Sequence, residues 1–255
     1  MNNALIGYTG FVGQNLNSQG EFNHLYNSKN IEEIRGKSFD TVFCAGISAV
    51  KWKANKEPET DLKAVNNLLV NLKYVKAEKF IHISTVDVYP DPVAVDESTE
   101  INTEILHPYG KHRLMAENFI KENFENHFII RLPGLFGNGL KKNIIFDLMN
   151  NNCLDMINAE SVFQFYSLDN IYRDIIKVTQ SGIRLFNFAT EPVSVDEVAN
   201  KVFNSNFKGN PDKPKAVYDM QTQHADIFGR EKYIYNKAEV LSDIKSFVER
   251  SKVVL

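Results

Sequence analysis

Three glycines at three-residue spacing, in Gly7-Tyr8-Thr9-Gly10-Phe11-Val12-Gly13, follow directly on the apolar run Ala4-Leu5-Ile6. A short strand that meets such a turn and then a helical pattern reads as the first half of a strand–helix–strand unit. Each glycine answers a steric need there: one permits a tight turn, one lets backbone approach a pyrophosphate, one lets helix and strand pack closely. Free amide groups at the helix start then face the phosphates. The spacing is G-x-x-G-x-x-G rather than the commoner G-x-G-x-x-G. Its place at the first strand–helix junction carries the argument.

The rest of the N-terminal half repeats the alternation. Apolar runs of strand length fall at Ala4–Ile6, His24–Tyr26, Thr41–Ala45, Phe80–Ser84 and Phe128–Leu132. Between them, Glu59–Val75 places Leu62, Val65, Leu69 and Leu72 on one helical face, and Tyr109–Phe124 carries Leu114, Met115, Phe119 and Ile120. The pattern predicts an α/β fold, a doubly wound parallel sheet of about seven strands covered by helices on both faces. The second half is less regular. Gly134 to Glu160 reads as loop and short helix, Ser194-Val195-Asp196-Glu197 as a capping box opening a helix to about Phe203, and 204–215 as loop. A last helix carries Val240, Leu241, Ile244, Phe247 and Val248. The expected division is 1–133 with 165–189 as the dinucleotide-binding domain, and 134–164 with 190–255 as a small substrate lobe.

Composition removes whole classes of function. A net charge of −3 lacks the basic excess of a nucleic-acid binder. No apolar run approaches the ~20 residues that span a bilayer. Cys44 and Cys153 are too few for a disulfide framework or a CxxC metal site, and no histidine spacing fits a metal. The first residues lack the charged and apolar regions of a signal peptide. The expectation is a cytoplasmic protein with no metal and no nucleic-acid or membrane partner.

The second strand ends in Asn27-Ser28-Lys29-Asn30. The carboxylate that usually holds the ribose 2′-hydroxyl of NAD is missing there. Lys29 and the Ser28 hydroxyl can meet a 2′-phosphate, which favours NADP over NAD. A solvated loop lysine is the plain alternative.

Two further motifs follow in order. The fourth strand runs into Ser84-Thr85-Val86-Asp87-Val88-Tyr89, and Tyr109-Gly110-Lys111-His112-Arg113 opens a helix that reaches Glu117. With Arg131-Leu132-Pro133-Gly134-Leu135-Phe136-Gly137, these resemble the extended short-chain dehydrogenase/reductase superfamily, and within it the NAD-dependent epimerase/dehydratase family, which acts mostly on nucleotide sugars. The resemblance covers residues 4–190. It implies a Rossmann domain and an NAD(P)-dependent epimerase or ketoreductase of a nucleotide-diphosphate sugar, in surface-polysaccharide synthesis. It also implies a homodimer built on the helices at 59–75 and 109–124.

By the same resemblance Thr85, Tyr109 and Arg113 are catalytic. Gly7, Gly10, Phe11, Val12, Gly13, Asn27, Ser28, Lys29, Ala45, Gly46, Tyr109, Arg113 and Pro133 bind the cofactor, and Thr85, Val86, Asp87, Gly134, Lys142, Asn143 and Tyr166 line the substrate. The chemistry is coherent. A phenol with a pKa near ~10 is a poor base until a fixed positive charge favours its anion. Positions 109 and 113 share a helix face.

The chain departs from the family at three places: Arg113 stands for the usual lysine, Asp61 for an asparagine, and Gly134 for the asparagine of R-x-x-N-x-Y-G. Arginine keeps the charge but has a planar fork where lysine has a compact ammonium. Val86 cannot be an acid and Asp87 is shorter than glutamate, which argues against a 4,6-dehydratase. Asp87 reads as solvent-facing or capping, His82 as packed, His112 as structural, and Lys51, Trp52, Lys53 and Lys56 as a loop. Alternatives kept open are a catalytically weak nucleotide-binding or regulatory module and a reductase of a non-sugar carbonyl.

Overall fold

The computed structural model describes residues 1–252 of the 255. In chain order the first elements are β1 (Asn3–Ile6), α1 (Phe11–Asn17), β2 (His24–Tyr26), β3 (Ser38–Cys44), α2 (Lys51–Lys56), α3 (Pro58–Leu72) and β4 (Lys76–Thr85). Next come β5 (Val93–Val95), α4 (Pro108–Asn123), β6 (His127–Leu132), β7 (Gly134–Phe136), α5 (Ile144–Asn150), β8 (Val162–Phe163), β9 (Phe165–Ser167) and α6 (Ile171–Ser181). The last are β10 (Leu185–Asn187), β11 (Val193–Ser194), α7 (Val195–Phe203), β12 (Asp219–Met220) and α8 (Lys237–Lys252).

The chain forms two compact units. The first takes in 1–90, 99–131 and 171–186. Its frame is a six-stranded sheet in the order β10-β6-β4-β3-β1-β2, and the β1–β2, β1–β3 and β3–β4 pairs are parallel. The register sets Ile6 beside Tyr26 and Cys44, and Cys44 beside His82. The turns that follow β1, β2, β3 and β4 therefore leave the sheet along one edge, beside the point where strand order reverses at β1. That is where open α/β sheets bind ligands. Six strands replace the seven expected. The stretch 27–37 between β2 and β3 holds only a 3₁₀ turn at Ile31–Ile34, too little chain for another crossover helix and strand.

Period-two alternation turns Ala4, Ile6, Val42 and Cys44 to one face of the sheet. There they pack with Val65, Leu68, Leu69 and Leu72 of α3 and Ala116 and Ile120 of α4. Both helices begin with proline at the first turn, where its missing N–H costs nothing. α3 adds Glu59 and Asp61 against its positive end. Residues 51–56, expected as loop, are helical. Only Ala54 of that segment is buried, so no apolar stripe announces the helix in the sequence.

His82 is 1% exposed, and neither ring nitrogen has a hydrogen-bond partner. Burial pushes its pKa down to about 4, against the pull of the Glu117 charge. The folded chain keeps this ring neutral while the unfolded chain protonates it near pH 6.5. Stability from this group is present above the unfolded value and is lost as pH falls from there toward about 4. The expected slope is about 1.4 kcal/mol per pH unit. Urea denaturation of wild type and His82→Leu across this window should show the slope in wild type and a flatter profile in the variant.

The second unit takes in 91–98, 132–170 and the chain from Asn187 onward. It is larger than the stretches assigned from sequence, for pairing reasons. β5 pairs with β12 and β9 pairs with β7. The Glu97 carboxylate accepts from Asn187 N at 2.7 Å, Thr222 Oγ1 at 2.6 Å and Gln223 N at 2.9 Å. The core joins Phe136, Ile145 and Phe165 to apolar residues of α7 and α8. The capping box forms as expected. Ser194 Oγ accepts from Glu197 N at 3.0 Å, and Glu197 Oε2 accepts from Ser194 N at 2.9 Å. No helix among the described residues is long and apolar enough to cross a membrane.

Candidate active site

The glycine turn builds a cradle. Gly7 has φ +86°, a conformation that side-chain-bearing residues rarely adopt, and its N–H donates to Tyr26 O at 2.7 Å. A Cβ on Gly7 would strike the Ala45 carbonyl, and one on Gly13 would strike the Gly7 carbonyl. A Cβ on Gly46 would sit 2.8 Å from Ile6 Cγ2, a milder clash against a side chain. α1 begins behind Gly10 with no side-chain cap, so the amides of Phe11, Val12 and Gly13 stay open to an anion. The close backbone packing that only glycine allows at Gly7 and Gly13 holds these amides at the start of the helix, where they suit a dinucleotide pyrophosphate. At the end of β2, Asn27 and Asn30 brace the loop. Asn27 N donates to Asn30 Oδ1 at 2.7 Å and Lys29 N to Asn27 Oδ1 at 2.8 Å. Ser28 and Lys29 are exposed beyond it.

On the same sheet edge, β4 ends at Thr85 and turns through Val86–Val88. Thr85 Oγ1 accepts from Asp87 N at 3.2 Å. The first turn of α4 sits hard on this turn, because a Cβ at Gly110 would meet the Asp87 carbonyl. Tyr109 N donates to Asn55 Oδ1 of α2 at 3.0 Å. Tyr109 itself is 6% exposed. Burial pushes its phenol up, and the Asp87 charge adds to that. Arg113, the Thr85 hydrogen bond and Lys51 pull it down, and the balance lies above the ordinary tyrosine value.

Arg113 shares the Tyr109 face as the helical spacing requires, with its guanidinium carbon 3.9 Å from the ring centroid. It does not stand as a free cation. Nη1 reaches Asp61 Oδ2 at 2.5 Å, Nη2 reaches Asp61 Oδ1 at 3.0 Å and also donates to the Ser48 carbonyl, and Nη1 adds the Tyr109 carbonyl at 3.3 Å. Two of the three departures from the family pattern are thus one feature: the fork of Arg113 grips the carboxylate of Asp61. Burial pushes the Asp61 carboxyl up, but the bonds and charges of Arg113 and His112 outweigh it and hold it below the ordinary range. His112, read as structural from the sequence, joins this cluster through Nδ1, 2.7 Å from Asp61 Oδ2. Asp87 is neither solvent-facing nor a cap. It pairs with Lys51 Nζ at 2.6 Å. Lys51 is the site residue that sequence reasoning missed, since nothing in its spacing marks it.

A buried ion pair backs the site. Arg131 Nε and Nη2 donate to Glu117 Oε1 and Oε2 at 3.0 and 2.7 Å, and Nη1 donates to Tyr89 Oη at 2.7 Å. Ser84, adjacent to Thr85, donates to Glu117 Oε1 at 2.5 Å. The network ties α4 to the ends of β4 and β6.

Several assignments need correction. Tyr166 is fully buried in the second unit against Phe188 and Tyr235, which leaves it no surface for a substrate. Gln164 beside it is also buried, bonded to Thr190 O and to both Met220 backbone groups. Asn143 caps α5, accepting from Phe146 N at 3.0 Å and donating to Leu135 O at 2.9 Å, so its amide is spent on backbone. Val86 is 4% exposed and serves as packing. Gly134 has no room for the family's asparagine, since a Cβ would lie 2.7 Å from the Gln164 carbonyl. Pro133 is buried and Lys142 exposed, both in the second unit. Among the described residues no cluster of His, Cys, Asp and Glu could hold a metal.

The model of the NAD dependent epimerase/dehydratase family matches residues 21–165, and the chain belongs to that family. No curated protein matches the chain. Solved structures share its fold at low identity. The dTDP-4-dehydrorhamnose reductase of Bacillus anthracis, in complex with NADP, is 18% identical with a TM-score of 0.76, covering 98% of this chain and 99% of that one. The UDP-glucose 4-epimerase of Thermotoga maritima with UDP-glucose is 15% identical at 0.73, covering 100% and 99%. The UDP-N-acetylglucosamine 4-epimerase of Methanobrevibacter ruminantium, with UDP-N-acetylmuramic acid, is 16% identical at 0.73, covering 100% and 99%.

Proposed function

We propose that the protein is an NAD(P)-dependent epimerase or ketoreductase of a nucleotide-diphosphate sugar, serving surface-polysaccharide synthesis, with NADP favoured over NAD. The observation that carries this reading is the docking of the first turn of α4, which bears Tyr109, on the turn that follows Thr85, on the sheet edge that also bears the glycine cradle. Gly7, Gly10, Phe11, Val12 and Gly13 would hold the pyrophosphate, with Ala45 and Gly46 beside it and Asn27, Ser28 and Lys29 at the ribose. A nicotinamide bound there supplies the hydride donor or acceptor. Thr85 orients a carbonyl or hydroxyl oxygen of the sugar, and Tyr109 gives or takes its proton. The family habit of pairing α3 and α4 across a homodimer suits the exposed Val70 of α3.

A second reading, a nucleotide-binding module with weak catalysis, draws on the commitment of Arg113 to Asp61 and Ser48. Turnover separates the two. NADPH or NADH is mixed with UDP- and dTDP-linked sugars and their 4-keto forms, and loss of reduced nicotinamide absorbance and sugar interconversion are followed. The enzyme reading expects turnover with at least one, faster with NADPH. Cofactor binding with no turnover across the panel supports the module.

A further inference from the structure

We propose that Asp61 of α3 is a positioning residue that acts through Arg113: its carboxylate fixes the guanidinium over the ring of Tyr109, so that positions 61 and 113 work as a matched pair. The inference rests on the reading of Tyr109 as the proton-transfer group. Arginine ends a long side chain with many rotamers, and a partner on another element decides where its fork settles. Asp61 does so from α3. Its Oδ2 and Oδ1 accept from Nη1 and Nη2 at 2.5 and 3.0 Å. A bidentate, charge-assisted pair sets orientation as well as distance, and its bonds are roughly twice as strong as those between neutral groups. Ser48 and Tyr109 add neutral carbonyls, the latter at 3.3 Å.

The surroundings leave the pair little freedom. Side-chain exposure is 3% at Arg113 and 8% at Asp61. The carboxylate is itself braced, with His112 Nδ1 2.7 Å from Oδ2. Asp61 also lies in the first turn of α3, where a helix start favours negative charge. Held this way, the guanidinium carbon stands 3.9 Å from the Tyr109 ring centroid, within reach of a cation–π contact. Of the charges that favour the phenolate, that of Arg113 acts most strongly, so its placement matters to the phenol. Exchange of one partner alone spoils the arrangement. A guanidinium facing an amide at 61 is a buried cation without a counter-charge, and it leaves the ring for better solvation. A lysine facing Asp61 brings a compact ammonium with no fork to lie flat on the ring, and the carboxylate draws it away. Exchange of both removes the mismatch.

A double-mutant cycle tests the pair. Asp61→Asn, Arg113→Lys and the double variant are compared with wild type at a temperature below the melting point of each. Asp61→Glu, which keeps the charge and moves it by one methylene, carries the same test if Asp61→Asn does not fold. The proteins are labelled with 3-fluorotyrosine, and the Tyr109 fluorine resonance is assigned by its absence in Tyr109→Phe. The expected result is a resonance displaced from its wild-type position in every single variant. kcat should fall about 10–10²-fold in each, the cost of a misplaced group, with KM close to wild type. The double variant should recover about 10-fold of that loss, as two residues in contact do. A pair that only supports the fold would lower the melting temperature and leave kcat of the folded protein unchanged. That outcome, an unmoved resonance in the Asp61 variants, or losses that simply add in the double variant would each overturn the proposal. The fluorine readout needs no turnover, so it separates failure of this inference from failure of the functional reading, which would show as full activity in Tyr109→Phe.

Discussion

Replacing Tyr109 by phenylalanine should lower kcat by about 10²–10⁴-fold, the usual worth of a positioned general acid or base. One oxygen is lost and the packing stays. The ring keeps its place over Arg113, and the bond to Asn55 comes from the Tyr109 backbone, which the substitution does not touch. Cofactor affinity and thermal stability should therefore remain close to wild type, and the loss should fall on kcat rather than KM. The remaining activity reports what Thr85 and substrate alignment contribute without a proton donor. Steady-state kinetics beside calorimetric cofactor binding separates these terms. Wild-type kcat in the variant would remove Tyr109 from the chemistry.

Replacing Glu117 by glutamine should destabilise the fold by about 3–5 kcal/mol, a large share of the 5–15 kcal/mol that typically separates folded from unfolded chains. Glu117 is fully buried and Arg131 nearly so. The variant leaves a guanidinium with no counter-charge inside the protein. Burial alone pushes the Glu117 carboxyl up, but the Arg131 charge and bonds and the Ser84 hydroxyl overcome it and hold it below the ordinary range. Because the folded value is depressed, its stabilisation is present above the unfolded glutamate value of about 4.3 and is lost as pH falls through the folded value. Removing both partners in Glu117→Leu/Arg131→Met should recover most of the loss, since an apolar replacement leaves no orphaned charge. Urea denaturation at neutral pH measures all three. A loss in the single variant no greater than in the double would show that the ion pair contributes little.

The parts legible in the sequence were those with local causes. The glycine turn is a steric demand within seven residues. The strands announce themselves as short apolar runs, α3 by its stripe, and α7 by a capping box that forms as read. Tyr109 and Arg113 meet because helical spacing puts them on one face. What stayed hidden was non-local. Arg113 and Asp61 are 52 positions apart, and each departure looked like a separate loss until the fold made them a pair. Lys51 lies on a six-residue helix with a single buried side chain, too short to leave a period. The carriage of 91–98 to the second unit depends on Glu97 meeting backbone and side chains 90 or more residues away. Tyr166 looked like a site residue by motif position, and only the packing around it shows a core aromatic.

On the proposed function, the glycine cradle and the loop at Ser28-Lys29 hold a nicotinamide dinucleotide. Calorimetric titration of the purified protein with NADP, NADPH, NAD and NADH, in wild type and Lys29→Ala, tests it most directly. The expected result is binding of the 2′-phosphorylated pair ahead of the other, with the preference reduced in Lys29→Ala. Binding of none of the four by wild type would contradict the account.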